Sequence, residues 1–334
     1  MKVIFHILLL LFCKNLIAQE NRKIEILNAD KTYANSNIHP DYWRLIGNVS
    51  FLHNNALMTC DSAYHYNYEN KMEAFGNIKI NQGDSITLTA KTLTYFGLEN
   101  KADMLGNVTL VDKQMTLRTE RILYNLSANI ASYPEKGNII HNDKIINSKK
   151  GAYHSSIHSF IFEDSVVVIN DDYKILTDNM HYNSKNEVTY FFGPSLIISN
   201  KKTIYCENGW YNTKTDIAQL RKNSQIKTEK YLLKGDSLYY NKNLQYGKAL
   251  SNVQLIDTLE NITIYGEIAE YFESEEKIII SEKPILELLF EDDTLFMHAK
   301  QFFFNQNGDE KKILAYNKVK FFKTDFQRKC DSLS

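Results

Sequence analysis

The chain has 334 residues, 43% of them apolar, with 39 basic against 40 acidic side chains and a net charge of −1. That apolar fraction is ample for a core and excludes disorder, while the balanced charge with no basic stripe excludes a nucleic-acid binder and a polybasic membrane patch. Tyr (21) and Phe (18) are plentiful and Pro (4) and Gly (13) scarce, which suits side chains filling a pleated β surface.

In chain order, Lys2, the apolar run from Val3 to Phe12 and the small Ala18 before Gln19 have the layout of a secretory leader, residues 1–18, cleaved near Ala18. The run is too short to span a bilayer, and Phe12 ahead of Cys13 is a poor lipoprotein cleavage site. Loss of Lys2 and Lys14 with the leader leaves 37 of the 39 basic side chains against 40 acidic ones. Residues 19–46 form a lead-in in which Ile24, Ile26, Leu27, Trp43 and Leu45 suggest one or two strands capping a stack.

From residue 47 to 334 one pattern returns about every 29 residues. Its reference column reads His65, Tyr95, Tyr124, Tyr153, Tyr182, Tyr211, Tyr240, Tyr271 and Phe304. Seven residues earlier stand Met58, Leu88, Leu117, Ile146, Ile175, Ile204, Leu233, Ile264 and Met297, apolar in all nine copies. Each copy is read as opening on a turn signal and an alternating strand, as in Gly47-Asn48-Val49-Ser50-Phe51, Gly76-Asn77-Ile78-Lys79-Ile80 and Gly106-Asn107-Val108-Thr109-Leu110. In the second strand the apolar positions lie at odd offsets before the reference aromatic, then move to even offsets nearer to it. Polar pairs separate the two registers: Asp61-Ser62, Lys91-Thr92, Glu120-Arg121, Asp178-Asn179, Glu207-Asn208 and Asp236-Ser237. A pleated strand changes its buried face only at a bulge or bend, so a corner is expected there. A polar turn such as Asn183-Ser184-Lys185-Asn186 and a short return strand such as Val188 to Phe191 complete the copy. The copy from Gly137 to Asp164 is the most degenerate, the one containing Pro284 is longer, and the sequence stops inside a tenth copy.

The fold expected is all-β: an elongated, repeat-built, twisted β-jellyroll, an open solenoid-like stack of antiparallel strands. Cys60, Cys206 and Cys330 share a column that is small in every copy, so they read as small buried fillers rather than a disulfide.

Recurrence also disposes of candidate chemistry. Asp61-Ser62 and Asp236-Ser237 look like nucleophile-and-acid pairs, yet they repeat in register with no base or oxyanion partner. His154 and His158 have helical zinc spacing, but on one strand they would stand about 13 Å apart at about 3.3 Å per residue. Asp171-Asp172 and Glu291-Asp292-Asp293 read as solvated turns without calcium-loop spacing. No phosphate loop, dinucleotide fingerprint or serine-hydrolase elbow occurs, so no catalytic residue, metal or cofactor is expected. The apolar interior is either a filled core or, if the sheets splay, a long groove, and normal packing density favours the filled core.

The repeated Asp-Ser-Ala/Leu-Tyr unit, followed by a turn and Gly-Asn-Val, resembles the OstA-like family, which includes the periplasmic lipopolysaccharide-transport protein LptA. The resemblance covers roughly residues 47 to 334. It implies a non-enzymatic periplasmic protein whose apolar interior shields the acyl chains of lipopolysaccharide or a related lipid during export to the outer membrane. Members join other β-jellyroll components, or further copies of themselves, through edge strands. The groove positions expected on this reading are Val49, Phe51, Ile78, Ile80, Val108, Leu110, Val166, Val168, Val253 and Leu255. The alternative is a filled β-solenoid with a structural or adhesin-like role; a polysaccharide-processing β-helix would need a non-repeating acidic cluster, which the sequence lacks.

Overall fold

The computed structural model describes residues 23–34, 41–83, 86–113, 115–200, 202–257, 259–307 and 310–333. The expected leader and its boundary at Ala18 lie outside them. Among the described residues no helix is long and apolar enough to cross a membrane. Two compact units are present, Met1–Lys113 with Leu123–Ser127 and Gln114–Ile122 with Ala128–Ser334.

The first unit is an antiparallel meander. Trp43–His53, Ala56–Tyr66, Lys71–Gln82, Ile86–Phe96 and Lys101–Asp112 each pair with the next. Its lead-in follows the same plan: Glu25–Asn28 and Lys31–Tyr33 pair with the two halves of Trp43–His53, on either side of Asp30. The second unit repeats the meander through Ser159–Ile169, Tyr173–Asn183, Val188–Ser199, Thr203–Asn212, Ile217–Lys227, Leu232–Asn241, Tyr246–Asp257 and Ile262–Phe272. Shorter strands flank this run, and Glu310–Lys323 pairs with Phe326–Leu333.

Every long strand is bent at its midpoint. Ile46 pairs with Ser62 and Val49 with Cys60, so Gly47 and Asn48 together face Asp61. Both are left-handed, with φ of 77° and 46°, and the same two-residue step recurs at Gly76-Asn77, Gly106-Asn107, Asp164-Ser165, Lys222-Asn223, Ser251-Asn252 and Asn317-Lys318. Two residues against one is a β-bulge, and it bends the strand. The corner expected from the parity change is therefore present. The Gly-Asn pair, however, does not open a copy: it lies inside a continuous strand such as Lys71–Gln82, because the ladder resumes on both sides of it. The expected return strand and the next copy's first strand are one bent strand.

The bend divides each strand into two limbs. Limb A carries the reference aromatics, as in 62–66 and 71–75; limb B carries the aliphatic column, as in 49–53 and 56–60. Burial alternates along both limbs, so each presents one buried face.

The polar pairs have a defined job at this corner. Asn77 Nδ2 donates to Asp61 Oδ2 at 2.9 Å, Asn223 to Glu207 at 2.8 Å, Asn252 to Asp236 at 2.7 Å and Asn48 to Asp30 at 2.9 Å. In the degenerate copy the charges swap sides, with Lys149 Nζ 3.1 Å from Asp164. Pro134, Pro194 and Pro284 also stand at corners, where no ladder N–H is required. Cys60 and Cys206 are buried just before the corner and form no disulfide. Burial, with Asp61 adjoining, pushes the Cys60 thiol up to about 11, so it is a filler and not a nucleophile.

An alanine Cβ at Gly76 would stand 2.3 Å from Asp61 Oδ2, on a backbone with φ of +75°. Gly76→Ala is therefore expected to cost about 1–3 kcal/mol of stability in urea unfolding. Asp61→Ala, which removes only an exposed clasp, should cost about 1 kcal/mol or less. Equal losses would show that the clasp, not the left-handed backbone, sets the corner.

Candidate functional site

The inner face of limb B is an apolar row running across the strands. In the first unit Phe51, Met58, Ile80, Leu88 and Leu110 are successive ladder partners. In the second unit the row runs Leu117, Ile139, Ile146, Val168, Ile175, Ile197, Ile204, Ile226, Leu233, Leu255, Ile264, Leu286, Met297 and Phe321. No polar side chain interrupts it. All ten expected groove positions, Val49, Phe51, Ile78, Ile80, Val108, Leu110, Val166, Val168, Val253 and Leu255, are buried, each at 3% exposure or less.

The edge away from the corner is a seam where the hairpin tips of limb A meet those of limb B. The reference aromatics latch it. Tyr95 Oη lies 2.6 Å from His53 Nδ1, and Tyr124 Oη hydrogen-bonds the Gln82 side chain. Asn70 Oδ1 accepts from the Ile24 backbone N–H at 2.8 Å, and the Asn54 amide donates to Asn100. In the second unit the Tyr182 ring packs edge-on to His141, with centroids 5.6 Å apart, and carries the Lys144 ammonium at 5.4 Å. Each latch spans about one and a half copies in sequence, which is why a single-copy reading does not find it.

Burial along the latch changes in one place, although contacts across it persist, with the Lys202 ammonium 4.9 Å over the Tyr240 ring and Tyr231 hydrogen-bonded to Tyr271. His65, Tyr95, Tyr124, Tyr153 and Tyr182 are buried, whereas Tyr211, Tyr240 and Tyr271 are half-exposed; on the facing limb Ile197, Ile204 and Ile226 change in the same way. The spacer between successive reference aromatics varies in size along this stretch. It is Phe160 after Tyr153 and Thr189 after Tyr182, then Ala218 and Gly247, before Ile278 restores bulk. Small spacers do not by themselves expose the rings, since Ala102 pairs with Tyr95 and Ala131 with Tyr153 and both tyrosines stay buried. A cavity of about 450 Å³ lies at this part of the seam, with Tyr231, Tyr271, Ile278 and Phe304 in its wall and Glu229, Lys230, Glu273 and Glu276 at its rim.

Other expected sites resolve as structure. His154 and His158 do not share a strand: His154 ends Lys150–His154 and His158 follows a 3-10 turn with φ of 52°. The geometry that set them apart on a strand therefore does not apply. His154 Nε2 lies 3.1 Å from the Ala128 carbonyl oxygen instead. Among the described residues no group of three or more potential ligands gathers for a metal.

The family described as OstA-like protein matches residues 21–178 and 167–236, more than half of the chain. No curated protein matches. A crystal structure of LptH, the LptA-homologous periplasmic component of the lipopolysaccharide transport device from Pseudomonas aeruginosa, aligns with 34% of this chain and 93% of its own, at 12% identity and a TM-score of 0.32. That similarity is too weak to bear on fold or function.

His65 and His141 are buried with Nδ1 unpartnered, and burial holds both below the ordinary 6.5; Lys144 lowers His141 further while Asp143 and Glu187 oppose it. The unfolded chain thus binds protons that the fold refuses. Stability from these sites is complete above pH 6.5 and falls as pH drops below it. Urea midpoints measured across that range should decline, and His141→Phe, His65→Phe or both should flatten the decline; an unchanged slope in the double variant would overturn the assignment.

Proposed function

The chain belongs to the OstA-like protein family, and on that premise we propose that it is a non-enzymatic periplasmic protein of lipopolysaccharide transport, shielding acyl chains within the interior between its limbs. The observation that carries this reading is the uninterrupted apolar row on the inner face of limb B, which passes from full burial to half-exposure at Ile197, Ile204 and Ile226. Burying an acyl chain there gains roughly 0.8 kcal/mol per methylene. A chain of a dozen carbons thus supplies on the order of 10 kcal/mol before the cost of ordering it. The limbs are joined at the bulged corner and latched at the seam, so parting them opens the interior along the latch without unpairing the ladders. Val49, Phe51, Ile78, Ile80, Val108, Leu110, Val166, Val168, Val253 and Leu255 then become the lining. Edge-strand pairing with other β-jellyroll components, or between copies of this chain, is the assembly mode this reading carries with it.

A filled β-solenoid with a structural role is the second reading, favoured by the near-complete burial of those ten positions. The two separate on one measurement. A photo-reactive residue at Ile80, Val108 or Ile204 should give adducts with labelled lipopolysaccharide, strongest at Ile204 where the row is open. Absence of any adduct along the interior, with no change of melting temperature on delipidation, would falsify the transport reading and leave the filled solenoid.

A further inference from the structure

At the seam a cation on a ring face is one of the chain's own latches. Lys144 holds its ammonium 5.4 Å from the Tyr182 ring centroid, and Lys202 holds its own 4.9 Å from that of Tyr240. Over Tyr271, next in the same column, no lysine or arginine stands among the described residues; the cavity of about 450 Å³ lies against it instead. Tyr211 also lacks a lysine, but its hydroxyl donates to Asp216 at 2.9 Å and it does not line the cavity. The Tyr231 and Tyr271 hydroxyls are hydrogen-bonded to each other, so what the two rings still offer is their faces, and buried Ile278 and Phe304 complete an apolar wall. The charged lining is acidic: Glu229, Glu273 and Glu276 against Lys230. Glu273 is engaged, accepting from the Tyr240 hydroxyl, and its charge also favours the Lys202 ammonium. The Glu229 and Glu276 carboxylates have no hydrogen-bond or ion-pair partner among the described residues. Burial raises the Tyr231 and Tyr271 phenols, and Glu273 and Glu276 raise them further, which puts these two carboxylates close to the rings.

We propose that this cavity binds a small organic ammonium ion, which rests on the ring faces of Tyr231 and Tyr271 and is neutralised by Glu229 and Glu276, taking the place that Lys144 and Lys202 take at other rings of the column. An alkylated ammonium suits the lining better than a metal ion does. Ring faces and the Ile278 and Phe304 side chains supply no oxygen ligands, whereas a weakly hydrated cation with an apolar skin is attracted by a ring face and packs on an apolar wall. With Glu273 engaged, Glu229 and Glu276 against Lys230 leave a single net negative charge, which matches a monocation. The cavity size falls in the range of small-molecule sites. This inference goes beyond the transport reading and does not depend on it.

The test uses the purified protein and two probes of one shape, choline and its uncharged isostere 3,3-dimethylbutan-1-ol, titrated calorimetrically. Choline should bind about tenfold or more tightly than the isostere, and added salt should weaken choline alone. Glu276→Gln should weaken choline by about fivefold and leave the isostere unchanged. Tyr271→Leu, which removes the ring, should weaken choline by about tenfold, whereas Tyr271→Phe, which removes only the hydroxyl, should leave it nearly as it was. The exposed Glu163→Gln serves as the control and should alter neither probe. Should Tyr271→Leu fail to fold, Glu276→Lys at the exposed rim decides, because an ammonium tethered there should abolish choline binding. Equal affinity for choline and its isostere overturns the cation site and leaves an apolar pocket. No binding of choline by the wild type overturns it as well. Choline binding that survives both Glu276→Lys and the loss of the Tyr271 ring places the cation elsewhere and overturns this assignment. Crosslinking of lipopolysaccharide from Ile204 reads the interior, so its outcome is separate from each of these.

Discussion

The left-handed two-residue bulge is the constraint on which the rest of the structure depends. A straight strand of eleven residues buries one face of a flat sheet and leaves it facing solvent unless a second layer covers it. Placing two consecutive positive-φ residues opposite a single residue turns each strand back on itself, so the meander supplies its own second layer. Glycine at the first position and asparagine at the second adopt this backbone at least cost. With glycine present, as at Gly76-Asn77, or absent, as at Lys222-Asn223 and Ser251-Asn252, the asparagine amide is tied to a carboxylate one strand away. Helices are dispensable here because every bent strand provides both the wall and the face it packs on.

Much of this was legible in the sequence, for reasons that are physical. The period of about 29 residues survives because each copy buries the same face against the next, so its columns vary only within a volume class. The parity change located the corner on the Asp-Ser side, since a strand cannot move its buried face without a bulge. What sequence reading missed was that Gly76-Asn77 belongs to the same corner as Asp61. A glycine-asparagine dipeptide before an alternating run signals a hairpin turn equally well, and only the resumed register on both sides distinguishes a bend from a reversal. The spacing of 16 residues between Asp61 and Asn77, repeated between Asp236 and Asn252, was the available clue.

The site was less legible than the fold because a repeat protein hides a site in the ordinary variation of its columns. The ten aliphatic positions that mark the interior are the same residues that any filled core would use. The half-exposed stretch at Tyr211, Tyr240 and Tyr271 carries the same residue type in the reference column as the buried stretch at Tyr95, Tyr124, Tyr153 and Tyr182. A motif search looks for residue types, and here the change is one of burial within unchanged columns.

The division of labour between corner and seam also bears on the fold's stability. The corner ladders, paired on both sides along each limb, hold the bent strands whether or not the seam is shut, so space at the seam is bought with packing and not with backbone hydrogen bonds. The latches themselves are hydrogen bonds and ring contacts between side chains, each worth on the order of 1 kcal/mol. A lost latch therefore costs little, while an acyl chain of a dozen methylenes offers several times as much on entering the row behind it. With Tyr182 buried and Tyr240 half-exposed, the transport reading would confine that exchange to a short stretch of the second unit.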